Sequence, residues 1–306
     1  MSNVTIIAHN GNFHADDVFA VATLMLVIKH SDFPAWRESV IKVLRTRDPE
    51  IIAAGDFVVD VGGVYDPENN RFDHHQFGGA GQRENGIPYA SFGLVWKKFG
   101  EKVAGSPASA DSIERRMVMP IDGADNGIDI MKPIFPNVMP YGIHDVLYSF
   151  SPTWKEKDIN IDEVFMTAVD LARDLLLREI KRSQDNVEAR VLVEAAYHIQ
   201  EDKRIVLLDV RYPAEVLDVL QQFKEPMFVV RPDEQNNSWK VNVIRKGPGS
   251  FKARRDLPEA WAGKMNAELA EITGVSDALF CHNKLFLAAA QSKDGALELA
   301  KLALKH

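Results

Sequence analysis

Short apolar runs alternate with longer apolar stripes of helical period through the first half of the chain, and this alternation predicts a mainly parallel sheet covered by helices. Residues 4–8 read as a first strand, followed by a helical run over 16–30 in which Val18, Val21, Ala22, Leu24, Met25 and Ile28 recur. Residues 40–45 and 57–61 read as further strands, the latter stopped by Gly62-Gly63. A turn-rich stretch over 66–70 leads to a short segment ending at Asp73-His74-His75, then a Gly-rich loop over 78–81, then a helical pattern over 90–99. Pro, Gly and Asn are frequent between 100 and 160, which predicts a short helix over about 109–124 and then a long irregular loop. From 162 to 200 the pattern is helical almost throughout, with Val164, Phe165, Ala168, Leu171, Ala172, Leu175 and Leu176 on one face. Beyond it, 205–210, 227–231 and 239–243 read as strands and 257–272 and 295–304 as helices. The expected organisation is α/β: a parallel-sheet domain over 1–160, a helical connector over 161–200, and a smaller α/β domain over 201–306 that closes over a substrate held in the cleft.

Composition narrows the possibilities. With 306 residues, 46% hydrophobic and 26% charged, the chain has room for two domains with their own cores. No apolar run approaches the ~18 residues that a membrane helix needs. The opening residues lack the features of a signal or transit peptide, so a cytoplasmic protein is expected. A lone cysteine excludes an internal disulfide and fits a reducing compartment. Cys281 follows Ala278-Leu279-Phe280 in a strand-like apolar run, which assigns it to packing. The net charge of −8 argues against broad electrostatic capture of duplex nucleic acid, so a polyanionic substrate has to be gripped locally.

Four clusters carry chemistry. His9-Asn-Gly-Asn-Phe-His14-Ala-Asp16-Asp17 lies between the first strand and the first helix, where open α/β sheets bind their ligands. Asp60 ends an apolar strand, Asp73-His74-His75 follows a short one, and Ile121-Asp122-Gly-Ala-Asp125-Asn126 follows a hydrophobic helix. Each has an ordinary structural alternative: Asp16 and Asp17 as helix caps, His9 as a satisfied polar residue, Asp60 as a turn former. Adjacent imidazoles beside a carboxylate are harder to explain so. Together the four clusters offer the oxygen and nitrogen ligands that two cations ~3.5 to 4 Å apart would need, including one carboxylate to bridge them.

The succession His9-x4-His14-x-Asp16, Asp60, Asp73-His74-His75 and Asp125 resembles the motifs of the DHH phosphoesterase superfamily. The chain is still more similar to the melanocyte proliferating gene 1 family, once called metal-dependent protein hydrolases. That likeness also takes in Thr46-Arg47-Asp48, Arg71-Phe72 with Gln76, Asn126-Gly127, Ser250-Phe251, Leu257-Pro258 with Trp261, and Gly295-Ala-Leu-Glu298. It implies a DHH-type catalytic domain with a DHH-associated domain behind it. It further implies one cation on His9, His14 and Asp60, and a second on Asp16, Asp60, His74 and Asp125, with Asp122 competing for the last place. His14 stands where many superfamily members have Asp, and the added nitrogen ligand shifts preference from Mg²⁺ toward Mn²⁺ or another transition ion. In this scheme Asp73 orients a histidine, and His75 binds the substrate phosphate or assists the leaving group.

The implied activity is 3′-5′ exonucleolytic hydrolysis of single-stranded RNA or a short oligonucleotide, with oligomeric state left open. A small phosphate such as a nucleotide or pyrophosphate is the alternative substrate, and a non-catalytic binding protein is the alternative class. Toward the C-terminus, Arg245, Lys246, Lys252, Arg254 and Arg255 cluster around Gly247-Pro-Gly249; they would hold phosphates of an extended substrate or form a solvated basic loop. His282 is a further substrate-contact candidate. Ala288-Ala-Ala-Gln291 replaces the Gly pair that relatives carry before the last helix, where Gly would let backbone approach a phosphate.

Overall fold

A computed structural model describes residues 3–30, 32–247, 250 and 252–306. Met1, Ser2, Pro248, Gly249 and Phe251, which enter the opening segment, the basic cluster and the Ser250-Phe251 likeness, lie outside the described residues. The fold is α/β, with two five-stranded sheets. Two compact units divide the chain at 184/185.

In the first unit, β1 (Asn3–Ala8) is followed by α1 (Ala15–Lys29), α2 (Pro34–Arg37), β2 (Val40–Arg45), α3 (Pro49–Ala54) and β3 (Phe57–Val59). Then come β4 (Tyr65–Asp66), β5 (Arg71–Phe72), α4 (Ser91–Ala104), α5 (Pro107–Ile113), α6 (Met119–Asp125) and α7 (Ile143–Tyr148). The sheet order is β2-β1-β3-β5-β4, parallel except at β4. The chain leaves β1 to one side and returns on the other, so β1 and β3 are neighbours whose carboxyl ends open at the switch point of the sheet. Phe57, Val58 and Val59 are all buried, as expected of a strand covered on both faces. Helix α1 is buried nearly all round, its small residues Ala15, Ala20 and Ala22 fitting between sheet and neighbouring helices.

Helix α8 (Ile161–Ile199) begins in the first unit and ends in the second. Phe165, Ala168, Val169, Ala172, Leu176 and Ile180 join the core of the first unit, and Ala189, Val193 and Tyr197 join a core of the second. The second unit continues with β6 (Ile205–Leu207), β7 (Phe228–Asp233), β8 (Ser238–Val243), α9 (Asn266–Thr273), β9 (Ala278–Cys281), β10 (Leu287–Ala290) and α10 (Lys293–Ala303). Its sheet order is β6-β7-β8-β10-β9, parallel only between β6 and β7.

Several boundaries differ from the sequence reading. The strand expected over 57–61 stops at Val59 because Asp60 takes a left-handed backbone, φ 54°. The helix expected over 109–124 runs as α5, a π-helical stretch (Glu114–Val118) and α6. The loop before 160 contains α7, anchored by buried Leu147. The single helix expected over 257–272 is instead a 3₁₀ turn (Glu259–Trp261) and α9, because Gly263 turns left-handed and Met265 pairs with Phe280. The Ala288-Ala-Ala run is strand β10, with Ala288 and Ala290 packed into the core beneath α10. Among the described residues no helix is long and apolar enough to cross a membrane.

Cys281 is buried in β9, and burial pushes its thiol up to about 11. A thiol reagent at pH 8 should therefore modify it only as the second sheet opens, at a rate that tracks unfolding in urea. Prompt labelling of the native protein would show that β9 is accessible.

Candidate metal centre

The site is assembled from the ends of three parallel strands and two helices. His9 leaves β1, and its ring Nδ1 lies 3.0 Å from the Asn10 carbonyl, which leaves Nε2 as the free nitrogen. His14 sits at the head of α1, where its backbone N–H donates to Asp17 Oδ1 at 2.8 Å. Asp17 thus caps its own helix. Asp16 caps a different one: its Oδ1 accepts from Phe92 N–H at 2.7 Å and its Oδ2 from Ser91 N–H at 2.9 Å, both at the start of α4. Asp60 follows β3 in the left-handed region, which Asp tolerates better than most residues. After β5, Asp73 Oδ1 accepts from the backbone N–H groups of His74 and His75 at 2.8 and 3.2 Å, while Oδ2 accepts from Gly63. That turn presents two histidines side by side.

These side chains converge. His9 Nε2 lies 3.2 Å from both Asp17 Oδ2 and Asp60 Oδ2. His74 Nε2 lies 3.3 Å from Asp60 Oδ1, 3.2 Å from Asp125 Oδ2 and 4.0 Å from Asp16 Oδ2. His75 Nδ1 lies 3.3 Å from Asp60 Oδ1 and 2.9 Å from Asp73 Oδ1. Among the described residues three sets offer ligand atoms within 4.8 Å of one another: His9, His14 and Asp60; Asp60, His74 and His75; Asp16, His74 and Asp125. The two oxygens of Asp60 therefore face different imidazoles, Oδ2 that of His9 and Oδ1 those of His74 and His75. Asp17 Oδ2, Asp60 Oδ1 and His74 Nε2 are buried yet form no aligned hydrogen bond despite these short separations. Buried polar atoms are ordinarily paired, so a group of unpaired donor atoms around one point fits a cation.

Protonation in the metal-free protein follows from the crowding. Burial disfavours a charged His9, but the Asp17 and Asp60 carboxylates outweigh it and push its pKa up to about 10. Burial likewise opposes a charged His74, and Asp125 and Asp60 raise it to about 11. Burial also works against ionised Asp60, yet His74 and His9 hold it well below the ordinary carboxylate range. Asp16 is raised well above that range, by burial first and then by repulsion from Asp60, Asp125 and Asp122.

Asp122 is committed elsewhere. Its Oδ2 accepts from Arg83 Nη2 at 2.7 Å and its Oδ1 from Gly93 N–H at 3.0 Å, and Arg83 Nε in turn donates to Glu114. A Cβ on Gly93 would meet Asp122 Oδ2 at 1.8 Å, so only glycine fits there. Burial pushes Asp122 up to about 7 even with Arg83 beside it. Arg83, the 91–93 amides, Arg47 and His144 were not placed in the site by the sequence reading. The last two line a cavity of about 290 Å³ together with His9, His14, Asp60, His75 and Asp125. Arg245, Lys246, Arg254, Arg255 and His282 all belong to the second unit. There Arg254 donates to the carbonyls of Gln221, Phe223 and Pro226, and the His282 ring packs on Phe286 and accepts from Lys284 N–H.

A family model described as MYG1_exonuc, Uncharacterised protein family (UPF0160), matches residues 5–304. The chain belongs to the MYG1 family. It is similar to the human MYG1 exonuclease, 30% identical with 97% of this chain and 84% of that protein aligned. The MYG1 protein C694.04c of Schizosaccharomyces pombe is 29% identical, with 99% of this chain and 98% of that protein aligned. Among solved structures, the RecJ of Thermus thermophilus in complex with Mn²⁺ matches with a TM-score of 0.30 and 14% identity, over 99% of this chain and 52% of that one. This MYG1 family member thus spans about half the length of the RecJ chain.

A cation held by His9 and His74 in this MYG1 family member would take their unprotonated rings, which hold protons below about pH 10 and 11 in the metal-free state. Uptake should therefore release protons, and affinity should fall as pH falls. Calorimetric Mn²⁺ titrations from pH 8 to 6, in buffers of different ionisation enthalpy, are expected to weaken steadily and to report proton release; pH-independent uptake without release would exclude these histidines as ligands.

Proposed function

We propose that this protein is a metal-dependent phosphodiesterase that holds two divalent cations and removes nucleotides from a single-stranded RNA or oligonucleotide end. The observation that carries the reading is Asp60, whose Oδ2 lies near His9 and whose Oδ1 lies near His74, with unpaired buried ligand atoms around it. His9, His14 and Asp60 Oδ2 would hold one cation; Asp60 Oδ1, His74, Asp16 and Asp125 would hold the other. Asp125 takes this place, and not Asp122, because Asp125 Oδ2 lies 3.2 Å from His74 Nε2 and shares a candidate set with it and Asp16, whereas Asp122 pairs with Arg83 and enters no such set. The imidazole nitrogens among the donors favour Mn²⁺ or another transition ion over Mg²⁺. Cations held there supply Lewis acidity toward a phosphoryl oxygen and lower the pKa of water.

The remaining groups do the positioning. Asp73 accepts from the backbone of both histidines and lies 2.9 Å from His75 Nδ1, which fixes that ring at the wall of the cavity. From there His75 donates a proton to a phosphate oxygen or to the leaving group. Asp16 is held by two backbone amides, so its carboxylate is preorganised and loses little freedom on binding a cation. Exonucleolytic action draws on the relatives named exonucleases, and the 3′-5′ polarity and RNA substrate on the family resemblance of the motifs.

Purified protein with Mn²⁺ and a short 5′-labelled RNA is expected to give a ladder shortening from the 3′ end, with His74→Ala slowed roughly a hundredfold or more. No shortening by the wild type, or equal rates for the two proteins, would remove the nuclease reading. Phosphate release from nucleotides without attack on RNA would move the substrate to a small phosphate.

A further inference from the structure

The polar side chains around the 290 Å³ cavity fall into two groups. His9, His14, Asp60, His75 and Asp125 belong to the candidate cation sets. Arg47 and His144 do not, and among the described residues neither side chain has a hydrogen bond or ion pair. We propose that Arg47 and His144 form a phosphate seat in this cavity, binding the phosphoryl oxygens that the cations do not reach. The proposal deepens the phosphodiesterase reading and rests on it.

The backbone under Arg47 is fixed from both sides while its guanidinium is left free. Thr46 N–H continues the β1–β2 pairing onto Ala8 O at 2.9 Å, and Asp48 caps α3 by accepting from Glu50 N–H at 2.9 Å. Asp48 N–H also donates to Thr46 Oγ1 at 3.0 Å. The Thr46-Arg47-Asp48 run thereby gains a physical role: two residues hold the third at the carboxyl edge of the sheet. Arg45, two positions earlier, cannot substitute, because it donates to Gly11 O at 2.8 Å and pairs with Asp162 at 2.9 Å. His144 rides on α7, which buried Leu147 anchors and Asp145 ties to Gly142 N–H at 2.7 Å. A guanidinium fork and an imidazole N–H are donors suited to a phosphate, and a chain of net charge −8 needs such a local grip.

The test uses full-length protein loaded with Mn²⁺, with inorganic phosphate as the calorimetric probe and a nucleoside 5′-monophosphate as a second arm. Arg47→Ala and His144→Ala are each expected to weaken phosphate binding roughly tenfold to a hundredfold. Arg47→Lys should recover part of the loss. The Mn²⁺-induced rise in Tm should stay as in the wild type, and KM for RNA should rise more than kcat falls. A nucleotide bound more tightly than phosphate, with the same fold-loss in the variants, would place the seat under a nucleotide's phosphate. Wild-type affinity in both alanine variants, no phosphate uptake by the wild type, or loss of the Mn²⁺ effect in the variants would each overturn the proposal. Phosphate binding through these residues without any RNA shortening would leave the seat standing and remove the nuclease reading instead.

Discussion

The structure depends on a concentration of negative charge that the fold places out of water. Asp16, Asp17, Asp60 and Asp122 are all buried, with Asp125 close behind. Carboxylates so close repel one another, and burial removes the solvent that would screen them. Part of the compensation is built in: the N-terminal amides of α4 serve Asp16 and Asp122, Arg83 serves Asp122, and His9 and His74 flank Asp60. Within this cluster Asp17 Oδ2, Asp60 Oδ1 and His74 Nε2 are left without an aligned hydrogen bond, and protons on His9 and His74, or a cation in their place, supply the opposing charge.

The sheet explains why these groups meet. Parallel strands deliver all their carboxyl ends to one edge, so His9 after β1 and His75 after β5 each come within a few ångströms of Asp60 after β3. Tight turns do the rest. The left-handed Asp60, with left-handed Gly62 and Gly63 after Val61, breaks the strand abruptly after Val59. The cost of that conformation is local, of order 1 kcal/mol or more, and such strain is commonly found at ligand sites.

Elements whose hydrophobic period is long or clean were legible from the sequence: β1, β2 and α1 stand within a residue of their expected limits, and α8 is one uninterrupted helix. Where tertiary contacts overrode local pattern, the reading failed. The apolar stretch over 257–272 looks helical, yet Gly263 and the pairing of Met265 with Phe280 split it. The three alanines that stand where the resemblance leads one to expect a Gly pair form strand β10, between β8 and β9. The clustering of His9, His14, Asp16, Asp60, His74, His75 and Asp125 was legible by residue type, as runs of His and Asp at strand ends. Its supports were not. Nothing near Asp16 in the chain announces that its partners are amides 75 and 76 residues away, and nothing around Gly93 shows that Asp122 and Arg83 fill the space a side chain would need.

The attachment of Asp16 to α4 separates the acidic residues into two kinds. Both of its oxygens already accept from backbone, so an asparagine there would turn an NH₂ group against an N–H donor and damage the start of α4 as well as the proposed ligand. Asp125 and His14 carry no such structural duty among the described contacts, and a lineage that gave up catalysis can exchange them while keeping its fold. In comparing homologous chains, a retained Asp16 therefore says mainly that the architecture has been kept, whereas, on the ligand assignment proposed above, a retained His14 and Asp125 speak for a working enzyme.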